Sequence, residues 1–186
     1  MRAVLCSKLG EPNLLEIKEV EKPTISKDEV LIKVEVAGVN FPDALLVQGK
    51  YQIVIDPPFI PGNEVCGILE DKGENVDIPV GTKVIGIPPI GGFAEFVAIN
   101  KNLVIQVSEN FSSLAGASLP INYGTSYYAL KRRANAQSGE SLLVLGASGG
   151  IGTASIQLAK VMGLRTICAV GSEDKAEYVK SLGGDE

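Results

Sequence analysis

Gly146, Gly149 and Gly152 recur every three residues in the run Leu142-Leu143-Val144-Leu145-Gly146-Ala147-Ser148-Gly149-Gly150-Ile151-Gly152. Glycines so placed, between a short apolar run and a helical pattern, suit the binding of a pyrophosphate. The turn must be tight, the backbone must come close to the phosphates, and the helix must pack near the strand; glycine permits all three. Unpaired N–H groups at the helix start then face the anion, aided by the helix dipole. A glycine motif alone is weak evidence, and its strand–turn–helix–strand context strengthens it. Gly146, Ser148, Gly149, Gly150, Ile151 and Gly152 are therefore candidate contacts for a dinucleotide.

A second group of residues bears on which dinucleotide. An acidic residue at the end of the second strand normally accepts from the adenosine ribose hydroxyls and repels a 2′-phosphate. Here that stretch reads Ala169-Val170-Gly171-Ser172, with Gly171 where the acid belongs. Ser172 can donate to a phosphate and Lys175 can pair with it, which predicts NADPH; the alternative is a Lys175 that is merely solvated on a helix. Glu173 and Asp174 suit a helix start better than a ribose.

The elements that must position these groups follow from period and punctuation. Val30, Ile32, Val34 and Val36 alternate with Leu31, Lys33 and Glu35, a half-buried strand ended by Gly38. Short strand signals recur at Arg2–Cys6, Leu14–Val20, Glu64–Glu70, Lys83–Ile87 and Phe93–Ile99, separated by turn residues such as Glu11-Pro12-Asn13 and Gly91-Gly92. Many short strands with such punctuation predict a barrel or sandwich over about the first hundred residues. Beyond Ser108 the pattern changes. Ser112–Ser118, with a serine cap, and Tyr123–Ala134 read as helices. Leu142–Leu145 reads as a strand buried on both faces. Ile151, Ser155, Leu158, Ala159 and Met162 fall on one face of the helix after the glycines, and Gly163 stops it. Arg165–Val170 is a second buried strand and Lys175–Leu182 a second helix. The fold class is thus α/β plus β: a β domain over residues 1–110, then at 111–186 the first, incomplete half of a doubly wound dinucleotide-binding domain. A two-stranded parallel sheet is a poor unit by itself, so a fragment of a longer protein is the expectation.

Composition narrows the function classes. Hydrophobic residues make up 45%, ample for a core, and 17 Lys plus Arg stand against 22 Asp plus Glu. The net charge of −5 argues against a nucleic-acid surface. Three widely spaced cysteines with no CxxC pair predict a reduced, cytoplasmic protein. No signal peptide and no membrane span is expected.

The run Gly139–Lys160, GESLLVLGASGGIGTASIQLAK, resembles the signature of the zinc-free quinone oxidoreductase (zeta-crystallin-like) branch of the medium-chain dehydrogenase/reductase family. So do Ala37–Gln52, Pro57–Gly67 (PPFIPGNEVCG) and Pro120–Leu130 (PINYGTSYYAL), and the resemblance spans nearly the whole chain. It implies a GroES-like β-barrel catalytic domain, then a Rossmann domain of which most is lacking here, and a homodimer for the complete protein. In zinc-dependent relatives a catalytic Cys falls at the position of Asn40 and a His at that of Asn63. Both are amides here, which are poor zinc ligands, and the chain has no histidine, so no metal is expected. Retained spacing with lost ligands suggests that Asn63 and Asp43 hydrogen-bond to hold the loop; a plain turn asparagine after Pro61-Gly62 is the alternative. The resemblance also implies roles for Asn40, beside the nicotinamide ribose and substrate, for Tyr51, lining the substrate pocket, and for Thr125, near the nicotinamide end. Hydride addition to a quinone or enone spreads charge that hydrogen-bond donors can stabilise, whereas an alkoxide calls for a Lewis acid. The expected activity is NADPH-dependent reduction of a small quinone or enone, weak or absent in this chain alone. The alternatives are an enoyl-thioester reductase and a non-catalytic nucleotide- or partner-binding module.

Overall fold

A computed structural model describes all residues, 1–186, and resolves them into two compact units, Met1–Ser118 and Leu119–Glu186. The first is built of β1 (Arg2–Leu5), β2 (Glu16–Glu19), β3 (Glu29–Ala37), α1 (Phe41–Val47), β4 (Val65–Lys72), β5 (Lys83–Gly86), β6 (Phe96–Asn100), β7 (Val104–Gln106) and α2 (Ser113–Gly116). β1 and β2 form an antiparallel pair, and the other five make an antiparallel sheet in the order β6-β3-β4-β5-β7.

Val30 and Ile32 of β3 face inward as their alternation predicts, and with Val65, Leu69, Val84, Val97 and Ile99 they form the main core. Leu31 departs from the alternation: it is only 5% exposed. The β3–β4 register shifts between Leu31 and Ile32, and the segment Lys22–Ile25 lines a cavity together with Leu31. A second cluster, Cys6, Leu46, Val47 and Phe59, packs α1 against the isolated bridge between Cys6, just past β1, and Phe59. The unit extends past residue 110 because α2 folds back: Gly116 lies so close to Cys66 that a Cβ there would be 2.6 Å from its Sγ. Ser112 caps α2 by accepting the Ala115 N–H.

The second unit contains α3 (Leu119–Tyr127), β8 (Ser141–Leu145), α4 (Gly150–Met162), β9 (Arg165–Ala169) and α5 (Glu173–Ser181). α3 starts earlier than Tyr123, with Pro120 in its first turn, where its missing N–H costs nothing. It continues as a π-helical segment, Tyr128–Arg133, in which the Ala134 N–H reaches back five residues to Ala129 O. β8 and β9 pair in parallel from Ser141↔Arg165 to Leu145↔Ala169. Val144, Ala147, Ile156 and Val179 form the core, so α4 and α5 cover one face of the sheet.

Two expectations are corrected here. β8 is not buried on both faces: Val144 is 7% exposed, but Leu143 is 59% and Leu145 75% exposed. Only one layer of helices covers this sheet. The buried residues of α4 are Gly152, Ala154, Ile156 and Ala159, with Ile151 exposed. Gly152, Ile156 and Ala159 share one face, on which Gly152 permits a close approach to the Ala147 backbone, while Ala154 is buried about 200° around the helix from them. Gly163, in the left-handed region at φ +74°, ends α4 as its position predicts. The Glu186 backbone bonds to Thr166 O and Cys168 N, on either side of Ile167, the pattern of a parallel neighbour on β9's outer edge. No helix is long and apolar enough to cross a membrane.

Candidate functional site

In the first unit the chemistry gathers where β3 ends, α1 begins and β4 is about to start. Asn40 is the N-cap residue of α1, in extended backbone, with Pro42 in the first turn. Asp43, at the third helical position, returns its carboxylate to the Asn40 N–H at 2.8 Å. The Asn40 amide nitrogen donates to Glu64 Oε1 at 2.7 Å and approaches Asn63 Oδ1 at 3.5 Å. Asp43 is 5% exposed and Glu64 fully buried. Burial pushes the Asp43 carboxyl above its ordinary range; the N–H groups of Asn40 and Gly62 pull it back, and the charge of Glu64 adds to the rise.

The expected Asn63–Asp43 hydrogen bond is replaced by a different pairing. Asn63 meets Asn40, while Asp43 holds the loop through the backbone of Gly62. Gly62 sits at φ +99°, in the left-handed region that favours glycine. The loop is thus tied down by two polar contacts on separate partners.

Tyr51 follows the left-handed Gly49 (φ +67°). It is half-buried against the Cys6–Leu46–Val47–Phe59 cluster. With Pro42, Asp43, Leu46, Asn63 and Pro89 it lines a mostly apolar cavity of about 120 Å³. Val39, Phe41, Ile53 and Val54, on the segments carrying Asn40 and Tyr51, are all more than half exposed. The neighbourhood offers an apolar wall, one phenol and one oriented amide. Glu64 was not singled out as a site residue from the sequence, although its place beside Asn63 was a signal.

In the second unit the three spaced glycines serve distinct ends. Gly146 turns the chain out of β8 at φ +62°, and nothing lies within 4 Å of where its Cβ would be. Gly149 is the N-cap of α4, with no side-chain cap. Gly152 packs the helix on the strand: a Cβ there would fall 2.5 Å from Ala147 O. Gly150 lies against Asn122 of α3, whose side-chain oxygen would be 2.5 Å from an added Cβ. The N–H groups of Gly150, Ile151 and Gly152, in the first turn of α4, lack intrahelical partners by construction, and Ser148 lies in the same turn. Open space at Gly146, a helix start with no side-chain cap and glycine at the closest approach together fit a pyrophosphate.

Thr125 is exposed on α3. The helix that carries it is fastened to α4 by Ser126 Oγ to Ile151 O at 3.2 Å, by Ser155 Oγ to Ser126 Oγ at 3.1 Å, and by Tyr123 to Gln157. Asn122, Tyr123 and Ser126 fall at helical spacing, and that was the signal for this polar seam. Ala147 N–H bonds to Ala169 O, which brings the end of β9 beside the glycine turn. Gly171, Ser172 and Lys175 follow there, all exposed. Ser172 is the N-cap of α5, yet its side chain makes no cap hydrogen bond.

Comparison with known proteins follows the same division. The family described as the alcohol dehydrogenase GroES-like domain matches residues 26–109. The chain is 37% identical over 184 residues to quinone oxidoreductase-like protein 2 of Bos taurus, an alignment covering 98% of the chain and 52% of that protein. Among solved structures, a probable oxidoreductase from Mycobacterium abscessus superposes with a TM-score of 0.94 at 39% identity, over all of this chain and 60% of the other. The quinone oxidoreductase of Thermus thermophilus, also studied in complex with NADPH, gives 0.88 at 37%, over all of this chain and 58% of the other. The chain spans about half the length of the curated relatives it matches. Its fold is a GroES-like domain followed by a partial Rossmann-like sheet.

Proposed function

Because this chain carries an alcohol dehydrogenase GroES-like domain and is related along its length to quinone oxidoreductases of the medium-chain dehydrogenase/reductase family, we propose that the protein serves as an NADPH-dependent, zinc-independent reductase of quinones or α,β-unsaturated carbonyls. The observation that carries this reading is the Gly146–Gly152 turn between a parallel strand and a helix start without a side-chain cap. The NADPH complex of the Thermus thermophilus relative supports it.

NADPH, when bound, supplies the hydride. Gly146, Ser148, Gly149, Gly150, Ile151 and Gly152 would hold its pyrophosphate by backbone N–H groups. Gly171 leaves room for a 2′-phosphate, Ser172 donates to it and Lys175 neutralises it. Thr125 contacts the nicotinamide end. Asn40 contacts the sugar next to the ring, and Tyr51 donates from its phenol to the acceptor oxygen as charge develops there. The two amides Asn40 and Asn63, the first donating to Glu64 and approaching the second, make a donor set unsuited to zinc. The apolar residues around Tyr51 suit a flat, weakly polar acceptor. The complete protein would act as a cytoplasmic homodimer, and the 186 residues by themselves would turn over slowly or not at all.

The test is a fluorescence titration with NADPH and NADH, followed by a screen of quinones, enones and enoyl thioesters with and without a chelator, on this chain and on any longer form. NADPH preference and chelator-resistant quinone or enone reduction support the proposal. A tenfold preference for NADH would overturn the cofactor assignment, and loss of activity with chelator the metal assignment. Turnover confined to enoyl thioesters would move the substrate class, and nucleotide binding without turnover in the longer form would favour a non-catalytic module.

A further inference from the structure

The side-chain amide of Asn40 has two unlike ends, an NH₂ that only donates and an oxygen that only accepts. Its nitrogen faces two oxygens, Glu64 Oε1 at 2.7 Å and Asn63 Oδ1 at 3.5 Å. Turning the amide over would set its oxygen against a carboxylate oxygen at hydrogen-bond distance, so the orientation is fixed by chemistry. Glu64 has little freedom to follow. It is 0% exposed, and its backbone oxygen takes the Gly38 N–H at 3.0 Å. Its side chain lies over Gly38 so closely that a Cβ there would fall 2.3 Å from Oε1. Asp43 fixes the Asn40 backbone from the other side.

We propose that Glu64 is the positioning residue for Asn40: it holds the amide nitrogen in the protein, so that the amide oxygen, which faces the Asp43 N–H at the start of α1 and has a second lone pair, is the end with which Asn40 reads a ligand hydroxyl. Resting on the functional reading above, this assigns the sugar hydroxyls of the dinucleotide to Asn40. It also removes Asn40 from the groups that stabilise charge on the acceptor oxygen. An amide oxygen turned toward a developing oxyanion would repel it, so that task falls to Tyr51.

The arrangement is read directly by ¹⁵N NMR of the whole chain. The Asn40 side-chain amide pair, identified by its loss in Asn40→Asp, should be protected from exchange, and NADPH should leave that protection intact. Protection that vanishes on adding NADPH would mean that the nitrogen turns to the ligand, and would overturn the proposal. Glu64→Gln keeps an acceptor oxygen and should keep NADPH affinity within about threefold, whereas Glu64→Leu removes it and should weaken binding about tenfold. Asn40→Asp keeps an acceptor but loses the donor to Glu64, and it should weaken NADPH binding about tenfold. A merely structural asparagine would not be rescued by Glu64→Gln and lost in Glu64→Leu in this way. Wild-type affinity for both Glu64→Leu and Asn40→Asp refutes the proposal. A wild-type chain that fails to bind NADPH overturns the functional reading alone, since amide protection still supports, and its absence still refutes, the hold of Glu64 on Asn40.

Discussion

β4 and β8 are both strands of mainly apolar residues, and they end in opposite circumstances. In β4, Val65 and Leu69 lie in the main core while Cys66, pointing the other way, is sealed by Ile85 and Ala117. Each face of that strand has a layer over it. In β8, Val144 has a layer and Leu143 and Leu145 have none. An apolar run therefore records what a strand can accept on both faces, whereas its burial is decided by elements distant in sequence. The first unit closes its own core. The second depends on one sheet face and two helices, and a two-stranded sheet is marginal without more cover.

The largest expected effect that separates the units is Gly152→Val. Its Cβ would fall 2.5 to 2.6 Å from the oxygen, carbon and Cα of Ala147, all backbone, so the helix must move off the strand. Overpacking of this kind costs about 1–3 kcal/mol or more, a large part of what a small unit has. Hydrogen exchange should show α4 and α5 losing protection while β3 and β4 keep theirs. Equal loss in β3 and β4 would mean that the two units stand or fall together, and the comparison would collapse.

Two buried or paired aspartates give the next contrast, because their pH signs are opposite. Asp43 in the first unit is held above the ordinary aspartate range by burial. The folded state then binds that proton more tightly than the unfolded chain, so the stability it contributes is present at acid pH and lost as pH rises through the folded pKa. Asp185 in the second unit is held low, by the Thr166 N–H and then the Thr166 hydroxyl. Its contribution is present above the unfolded pKa and lost as pH falls through the folded one. Carboxyl ¹³C titration should place Asp43 above and Asp185 below the ordinary range. Asp43→Asn should flatten the decline of the first unit toward neutral pH, and Asp185→Asn the acid loss of the second. Midpoints displaced in the same direction would erase the contrast.

What was legible in the sequence was local. The glycine turn, the β9 strand and the Gly163 stop each depend on residues a few places apart, and the structure has them where period and glycine position put them. The chain's likeness to quinone oxidoreductases was likewise carried by contiguous runs. The misreadings share a different cause. The face of α4 read from the sequence is Ile151, Ser155, Leu158, Ala159 and Met162; Ala159 is buried, but the close approach at Gly152 brings Ile156 inward beside it and leaves Ile151 exposed. The partner of Asn63 depended on how α1 and β4 converge, and a change of partner from Asp43 to Asn40, on the same helix start, is invisible in spacing. The burial of Glu64 and its bond to Asn40 depend on the same convergence.

A smaller effect probes the bare face itself. Leu145 is 75% exposed, so Leu145→Lys should change the stability of the second unit by no more than about 0.5 kcal/mol. Chemical denaturation monitored on α4 and α5 checks this. A cost of about 1–3 kcal/mol, the range for burying such a side chain, would mean that the face is covered in solution. The difference between β4 and β8 would then shrink to one of which chain supplies the cover.

The smallest stability change sets two serines against each other. Ser112 caps α2 in the first unit, its Oγ accepting the Ala115 N–H at 3.4 Å. Ser172 holds the equivalent position before α5 but makes no side-chain cap bond, with Glu173 and Asp174 already placed to favour the helix dipole. An N-cap serine that caps is worth about 1 kcal/mol over alanine. Ser112→Ala should approach that value, and Ser172→Ala should cost only a few tenths, because there is no cap bond to lose. If the Ser172 hydroxyl is instead kept for a 2′-phosphate, Ser172→Ala should lower the preference for NADPH over NADH about tenfold, the worth of one hydrogen bond to a charged group, with little change in NADH affinity. Measured side by side, the two serines decide the point. A Ser172→Ala variant that loses about 1 kcal/mol and keeps its nucleotide preference would make Ser172 a second Ser112, and the end of β9 would lose its claim to the phosphate.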